Sequence, residues 1–291
     1  MPDADKPLVS VLTPSLSQAK WIGDNLRSVA TQTYPRIEHV VMDGGSTDET
    51  RQLLERAGDT VRWRSEPDAG QADAINKAFS ACTGEIIGWL NSDDAYFDTR
   101  VCEDVVAFFE RNPDIDVAYG HAVQTTENGA FIQVLWVPEF DAELLGALDF
   151  IVQPAAFVRR SALREPMLDV SFHFGMDYEL WLRLRAAGAT FGRIDRVTAI
   201  DRHQPDRKSS TAKDVYRGDL ERLSAMYPMH LEDDWEARRS AFYRRQRLRG
   251  ACLIPGLLGR DLCFETPAKP TAGLWSRQVM SRKSRWPEAY R

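Results

Sequence analysis

Strand-like and helix-like patterns alternate through the first hundred residues of this chain, and that alternation restricts the fold more than any other feature. Leu8–Thr13 is a short β-rich run closed by Pro14; Ile37–Met42, Val61–Ser65 and Glu85–Leu90 are three more. Between them, Trp21–Gln32 places Ile22, Leu26 and Val29 on one helical face, and Ala72–Cys82 reads as a helix. Ser46 and Glu49 have capping-box spacing for a helix through Ala57. Arg100–Asn112 repeats apolar residues at Val101, Val105 and Phe109 until Pro113 stops it. Strands joined by helices over short links imply right-handed crossovers and a parallel sheet. Such sheets bind ligands beyond the carboxyl ends of their strands. The loops after strands one, two and four carry Pro14-Ser15, Asp43 and Asn91-Ser92-Asp93-Asp94. No GxGxxG follows the first strand, which disfavours a dinucleotide site of the usual Rossmann kind.

Beyond about residue 115 the pattern changes. Val117–Gly120, Val123–Thr126 and Phe131–Val137 read as strands, with Asn128-Gly129 as a hairpin turn. Leu144–Phe150 reads as a short helix, Ala155–Val158 as a strand, Asp177–Ala187 as a helix ended by Gly188, and Arg193–Ile200 as a strand. Residues 212–227 and 235–249 have helical patterns.

With 43% apolar and 27% charged residues in 291, the chain is neither disordered nor collagen-like. No apolar stretch reaches the roughly 18–20 residues of a membrane span. The acidic start Met1-Pro2-Asp3-Ala4-Asp5 lacks a signal-peptide core, so the expected setting is cytoplasmic. Cys82, Cys102, Cys252 and Cys263 lie far apart with no CxxC, which argues against zinc; Cys82 and Cys102 fit small buried thiols. The formal charge of -6 argues against nucleic acid as a partner, but it is unevenly spread. Residues 235–291 hold 13 Lys and Arg against 4 Asp and Glu; the rest holds 24 against 39.

Asp93 and Asp94 stand side by side at a strand end. Two carboxylates there either hold a hard divalent ion through oxygen ligands or belong to a solvated turn that leads through Asp98 and Thr99 into the next helix.

Five segments occur in order: Ser10-Val11-Leu12-Thr13-Pro14-Ser15, Val40-Val41-Met42-Asp43-Gly44-Gly45-Ser46-Thr47-Asp48, Gly70-Gln71-Ala72-Asp73-Ala74-Ile75-Asn76-Lys77, Leu90-Asn91-Ser92-Asp93-Asp94 and Met176-Asp177-Tyr178-Glu179-Leu180-Trp181-Leu182-Arg183-Leu184. Together they resemble an inverting family 2 glycosyltransferase of GT-A fold over residues 7–210. The resemblance implies an α/β fold with a Rossmann-like, mostly parallel central sheet flanked by helices, followed by a helical, basic C-terminal extension. Residues 1–115 would form the nucleotide-sugar-binding half of that domain, 116–212 the acceptor-binding half and 213–291 the extension.

The same resemblance implies site roles. Thr13, Pro14 and Ser15 would line the nucleoside pocket and Asp43 would accept from the base, most readily a uracil or thymine imide; Asp43 also reads as a turn residue. Gln71, Asp73 and Asn76 would pass beside ribose and sugar, or form an ordinary helix start. Asn91, Ser92 and Asp93 resemble the DxD motif with Asn in its first place, leaving Asp93 as main ligand of Mn²⁺ or Mg²⁺ and Asp94 in support. His203 would be a second metal or phosphate contact, or else a structural or exposed histidine; Arg202, Arg207 and Lys208 would lie near the phosphates or form a solvated charge run. Asp177 would be the general base, Glu179 the lesser candidate, and Trp181 packs inward or offers a sugar platform.

The implied activity is transfer of a sugar from a nucleotide-sugar, first a UDP-sugar, to a saccharide or lipid-linked saccharide acceptor. A sugar nucleotidyltransferase would need a Gly-rich basic loop after the first strand, where Thr13-Pro14-Ser15-Leu16-Ser17-Gln18 stands. A non-catalytic sugar-nucleotide or glycan-binding module is the other alternative, and the presence of both Asp93 and Asp177 argues against it. Residues 235–249 carry six arginines and one acid among Trp235, Phe242 and Tyr243. They would pack on the acidic domain or make a peripheral contact with anionic lipid at the inner face of the membrane.

Overall fold

In a computed structural model, residues 6–204 and 213–227 are described, together with Ala241 and Arg244. Strand β1 (Val9–Ser15) is buried along its whole length, as a central parallel strand covered on both faces must be. It pairs in parallel with β2 (Ile37–Asp43) on one side and β4 (Ile86–Trp89) on the other, and β3 (Arg62–Ser65) extends the sheet beyond β2. Helices α1 (Ile22–Ala30), α2 (Thr50–Ala57) and α3 (Gln71–Ala81) make the crossovers. α1 turns Ile22, Leu26 and Val29 inward. α3 lays Ala72, Ala78 and Phe79 into one cluster with Leu12 and Val40 of the sheet.

The second half adds α4 (Val101–Arg111), β6 (Val117–Thr126), β7 (Phe131–Leu135), α5 (Ala142–Ala147), β8 (Ala156–Arg159), α6 (Met176–Ala186) and β9 (Phe191–His203). β8 runs antiparallel between β4 and β6, and β9 lies parallel to β6. The order is β3-β2-β1-β4-β8-β6-β9-β5, with β5 (Ala95–Tyr96) on the edge and β7 paired to β6. Followed through the pairings, β1, β2, β3, β4, β6 and β9 point one way. The fold is α/β with a mostly parallel sheet flanked by helices, and one sheet joins residues before and after 115.

Two local expectations change, and one short strand carried no sequence signal. β6 is continuous where Gly120 suggested a break. That glycine sits where a Cβ would come 2.7 Å from the Thr198 side chain, so it serves close strand approach rather than a turn. The capping box does not form: α2 starts at Thr50, and Ser46 gives its hydroxyl to Asp43 instead. β5 is two residues long, too short for any periodic signal.

α6 buries Met176, Tyr178, Leu180, Trp181, Leu182 and Leu184, on several sides of the helix at once. Part of that cover is α7 (Lys213–Met226), whose Leu223 joins the main core cluster. Of the basic tail, residues 235–249 lie outside the described residues apart from Ala241 and Arg244, as do Cys252 and Cys263. Cys82 and Cys102 are both buried. Among the described residues no helix is long and apolar enough to cross a membrane.

Candidate active site

A cleft of about 770 Å³ opens beyond the carboxyl ends of β1 and β4. The chain leaves β1 toward β2 on one side and reaches β4 on the other, so this is the switch point where open α/β sheets bind ligands. Pro14, Ser15, Gln71, Asn91, Ser92, Asp93 and Asp177 all line it, bringing together residues from four of the five sequence segments. The Ser15 hydroxyl is buried there with no hydrogen-bond partner.

Asn91 is a hub. Its Oδ1 accepts from Gln71 Nε2 and Trp89 Nε1, both at 2.8 Å. Its Nδ2 donates to Gln153 Oε1 at 2.8 Å and Asp94 Oδ2 at 3.3 Å. An ionised aspartate could accept but not donate, which gives a physical reason for Asn in this place. The Asn91 amide is thus engaged by its protein neighbours.

Asp93 faces the cleft, and Gln204 Nε2 lies 3.3 Å from its Oδ2. His203, read as a metal or phosphate contact, is exposed and does not line the cleft, whereas Asp201, Arg202 and Gln204 do. Arg202 does not point free charge at a phosphate either. Its guanidinium donates to the Asp93 carbonyl and the Glu127 carbonyl, both at 2.9 Å, and to Asp24 Oδ2 at 2.7 Å. Arg207 and Lys208 lie outside the described residues. Among the described residues, no three His, Cys, Asp or Glu side chains form a preassembled metal cage.

Four other expected contacts are engaged within the protein and do not line the cleft. Thr13 is fully buried; its hydroxyl donates to the Leu90 carbonyl at 2.8 Å and accepts from His39 Nε2 at 2.9 Å. Burial pulls His39 down to about 3, so the imidazole is neutral and tautomer-locked as that donor. Asp43, 1% exposed, accepts from the Ser46 amide, the Ser46 hydroxyl and the Ser65 hydroxyl. It builds the turn after β2 rather than presenting a free oxygen. Asp73 caps the Ala69 amide at 3.0 Å and pairs with Lys77 at 3.1 Å. Asn76 exchanges two bonds with the Leu168 backbone, at 2.9 and 2.8 Å, clipping α3 to the second half.

Asp177 is half-buried in the first turn of α6 and lines the cleft, its Oδ1 accepting from the Tyr178 amide at 2.9 Å. The start of α6 is held from α7: Asp219 Oδ2 accepts from the Phe174 and Gly175 amides at 2.9 and 3.2 Å. Glu179 is buried, paired with Arg183 at 2.9 Å and accepting from the Tyr227 hydroxyl at 2.9 Å. Of the two acids, Asp177 alone reaches the cleft. Trp181 is core, not a platform.

Asp149 was not anticipated. It lines the cleft, its Oδ1 is buried without a partner, and burial together with the nearby Asp177 charge raises its carboxyl well above the ordinary range. The one sequence sign was a lone acid within Leu148-Asp149-Phe150-Ile151. The raised value has a sign that can be checked. The native state keeps a proton that the unfolded chain releases near pH 4, so this residue costs stability increasingly as pH rises from about 4. Asp149→Asn is expected to match wild-type unfolding free energy at pH 4 and to exceed it at pH 7 to 8, read by urea denaturation. An equal pH dependence in both proteins would contradict the assignment.

Comparisons with known proteins bear on the family and the fold. The glycosyl transferase family 2 model matches residues 10–165. A PGL/p-HBAD biosynthesis glycosyltransferase of Mycobacterium bovis is 30% identical over 158 residues, covering 53% of this chain and 60% of that protein. An uncharacterized glycosyltransferase of Rickettsia bellii is 26% identical over 199 residues, covering 65% of this chain and 29% of that one. The chain thus spans less than two thirds of the length of these relatives. Among solved structures, S. aureus TarS 1-349 in complex with UDP-GlcNAc is similar with a TM-score of 0.60 at 21% identity, over 78% of this chain and 68% of that one. The mannosyltransferase PcManGT from Pyrobaculum calidifontis, in complex with GDP-Man and Mn2+, gives 0.53 at 20%, over 68% and 58%. With a switch-point cleft that gathers the residues of its ordered motifs, and a family match over more than half its length, the chain belongs to glycosyl transferase family 2.

Proposed function

We propose that the protein is an inverting glycosyltransferase that moves a sugar from a UDP-sugar to a saccharide or lipid-linked saccharide acceptor, with Asp177 as general base. The observation that carries this reading is that Asp93 and Asp177 line one cleft while the rival acid, Glu179, is sealed in an ion pair. The UDP preference is supported by the UDP-GlcNAc complex of a fold neighbour. The partnerless Ser15 hydroxyl beside Pro14 offers a polar contact for the donor nucleoside.

A divalent ion fits the residues present. Mg²⁺ and its like are held by one or two carboxylates, with substrate phosphates and water completing the shell. Asp93 is the candidate ligand of its loop; it lines the cleft, where Gln204 Nε2 donates to its Oδ2 at 3.3 Å, while the Asp94 oxygens accept from the Arg202 amide at 3.0 Å and from Asn91 at 3.3 Å. Bound there, the ion would neutralise charge on the leaving diphosphate. The protein's own work is positional. Arg202 and Gln204 hold the Asp93 loop, Asn91 ties that loop to Gln71 and Gln153, and Asp177 receives the proton of the attacking hydroxyl. The acceptor oxygen bonds to the anomeric carbon as the bond to the diphosphate breaks, which inverts configuration without a covalent intermediate.

Release of nucleoside diphosphate across a panel of UDP-, dTDP- and GDP-sugars with Mn²⁺ tests the reading. UDP release that EDTA abolishes and Mn²⁺ restores is the expected outcome. Tight UDP binding with no release from any donor would instead identify a binding module. Pyrophosphate formation from UTP and a sugar phosphate would identify a nucleotidyltransferase.

A further inference from the structure

We propose that Asp149 anchors the acceptor, hydrogen-bonding one hydroxyl of a neutral sugar while a neighbouring hydroxyl of that sugar is presented to Asp177. The inference rests on the reading of Asp177 as the base. Asp149 follows α5, in the half of the domain that the family resemblance gives to the acceptor, between the buried Phe150 and Ile151 and the half-buried Leu148. Its Oδ1 is buried and has no hydrogen-bond partner in the protein. Buried polar atoms are nearly always paired, and one left open on a cleft wall awaits a ligand atom.

The chemistry of the pair narrows that ligand. Burial first, then the charge of Asp177, favours the protonated form of Asp149. A carboxylic acid both donates and accepts, and so does a sugar hydroxyl. Asp177 beside it, as a carboxylate, only accepts, which suits the hydroxyl that loses its proton. Asp149 keeps its own proton throughout; the only proton moved goes from the attacking hydroxyl to Asp177.

Charge supplies the class. The same cleft is lined by Asp68, Asp93, Asp94 and Asp201, and its arginine, Arg202, is already paired with Asp24. A uronic acid or phosphorylated sugar would bring a further negative charge beside Asp177. A neutral sugar with adjacent hydroxyls meets neither repulsion nor an unmatched group.

The test uses the full chain with UDP-GlcNAc and Mn²⁺ and, as acceptor probes, the methyl glycosides of neutral hexoses and of glucuronic acid. Wild type is expected to use a neutral glycoside in preference to the glucuronide. Asp149→Ala should raise the KM for that glycoside about tenfold, roughly the loss of one good hydrogen bond, with a smaller change in kcat. Asp149→Asn, which keeps a donor and an acceptor, should restore most of the KM. UDP affinity by calorimetry should be the same in all three proteins, which also shows that the variants are folded.

An unchanged KM in Asp149→Ala would overturn the inference. So would an Asp149→Asn as impaired as the alanine variant, preference for the glucuronide, or a wild type that releases UDP but uses no glycoside. Wild-type turnover in Asp177→Asn would sink the base assignment, and a wild type silent on the donor would sink the transferase reading; either takes the inference with it. A flat Asp149 response with Asp177→Asn inactive defeats the inference alone.

Discussion

Asp177→Asn is expected to lower kcat for sugar transfer by about 10³-fold, the usual scale for loss of a positioned general base. The affinity for UDP should stay within about twofold, because the interactions removed are made only as the acceptor loses its proton. Asparagine is the informative replacement. Its side-chain oxygen can still accept from the Tyr178 amide, as Asp177 Oδ1 does at 2.9 Å, so the first turn of α6 keeps its geometry. What disappears is the basic lone pair. Glu179 cannot take over, being two residues along the helix and held by Arg183 and the Tyr227 hydroxyl. Asp219 should hold the Phe174–Gly175 backbone unchanged, which a melting temperature near wild type would show. Single-turnover transfer with saturating donor, beside calorimetric titration of UDP, separates the outcomes. Turnover at the wild-type rate would place the base elsewhere, and a parallel loss of UDP affinity would move Asp177 to the donor side.

The outline of this site was readable in sequence because its parts sit at strand ends, where the local pattern changes from apolar to polar. Pro14-Ser15, Asn91–Asp93 and Asp177 all follow or begin a strongly patterned element, and all line the cleft. Motif position alone did not say which way a side chain turns. Thr13, Asp43, Asp73 and Asn76 lie in the same segments as the cleft residues. Thr13, Asp43 and Asn76 are held by partners 22 to 92 residues away, namely His39 and Leu90, Ser65, and Leu168, whereas Asp73 is held by Ala69 and Lys77, each four residues off. His203 lies exposed at the end of β9, a placement that depends on the pairing with β6 rather than on its own segment. Asp149 was missed because its character comes from three-dimensional burial beside Asp177, which no spacing encodes. α7 illustrates the same limit. Its pattern announced a helix, but only the packing of Asp219, Leu223 and Tyr227 shows what it does for α6.

Arg202→Ala should cost about 3 kcal/mol of folding stability, the lower end of the range for breaking a buried ion pair from one side. The guanidinium is 4% exposed and meets three acceptors on three separate segments: Asp24 in α1, the Asp93 carbonyl and the Glu127 carbonyl. Alanine leaves all three without their donor, and the Asp24 carboxylate loses its counter-charge. Asp24 keeps about a fifth of its side-chain exposure, so water can recover part of its solvation; that is why the lower end applies. For a domain of this size the loss corresponds to a fall in Tm of about 6 to 12 °C. Arg202→Lys should recover only a minor part, because a single ammonium cannot span the acceptors that a planar fork reaches. The consequence for function follows from the same bonds. Arg202 holds the main chain of Asp93, so its loss frees the carboxylate assigned to the metal, and Mn²⁺-dependent UDP binding should weaken more than UDP binding in EDTA. Thermal unfolding and paired titrations with and without Mn²⁺ check both. A Tm unchanged from wild type would show that the three acceptors find water instead, and equal weakening with and without Mn²⁺ would detach Asp93 from metal binding.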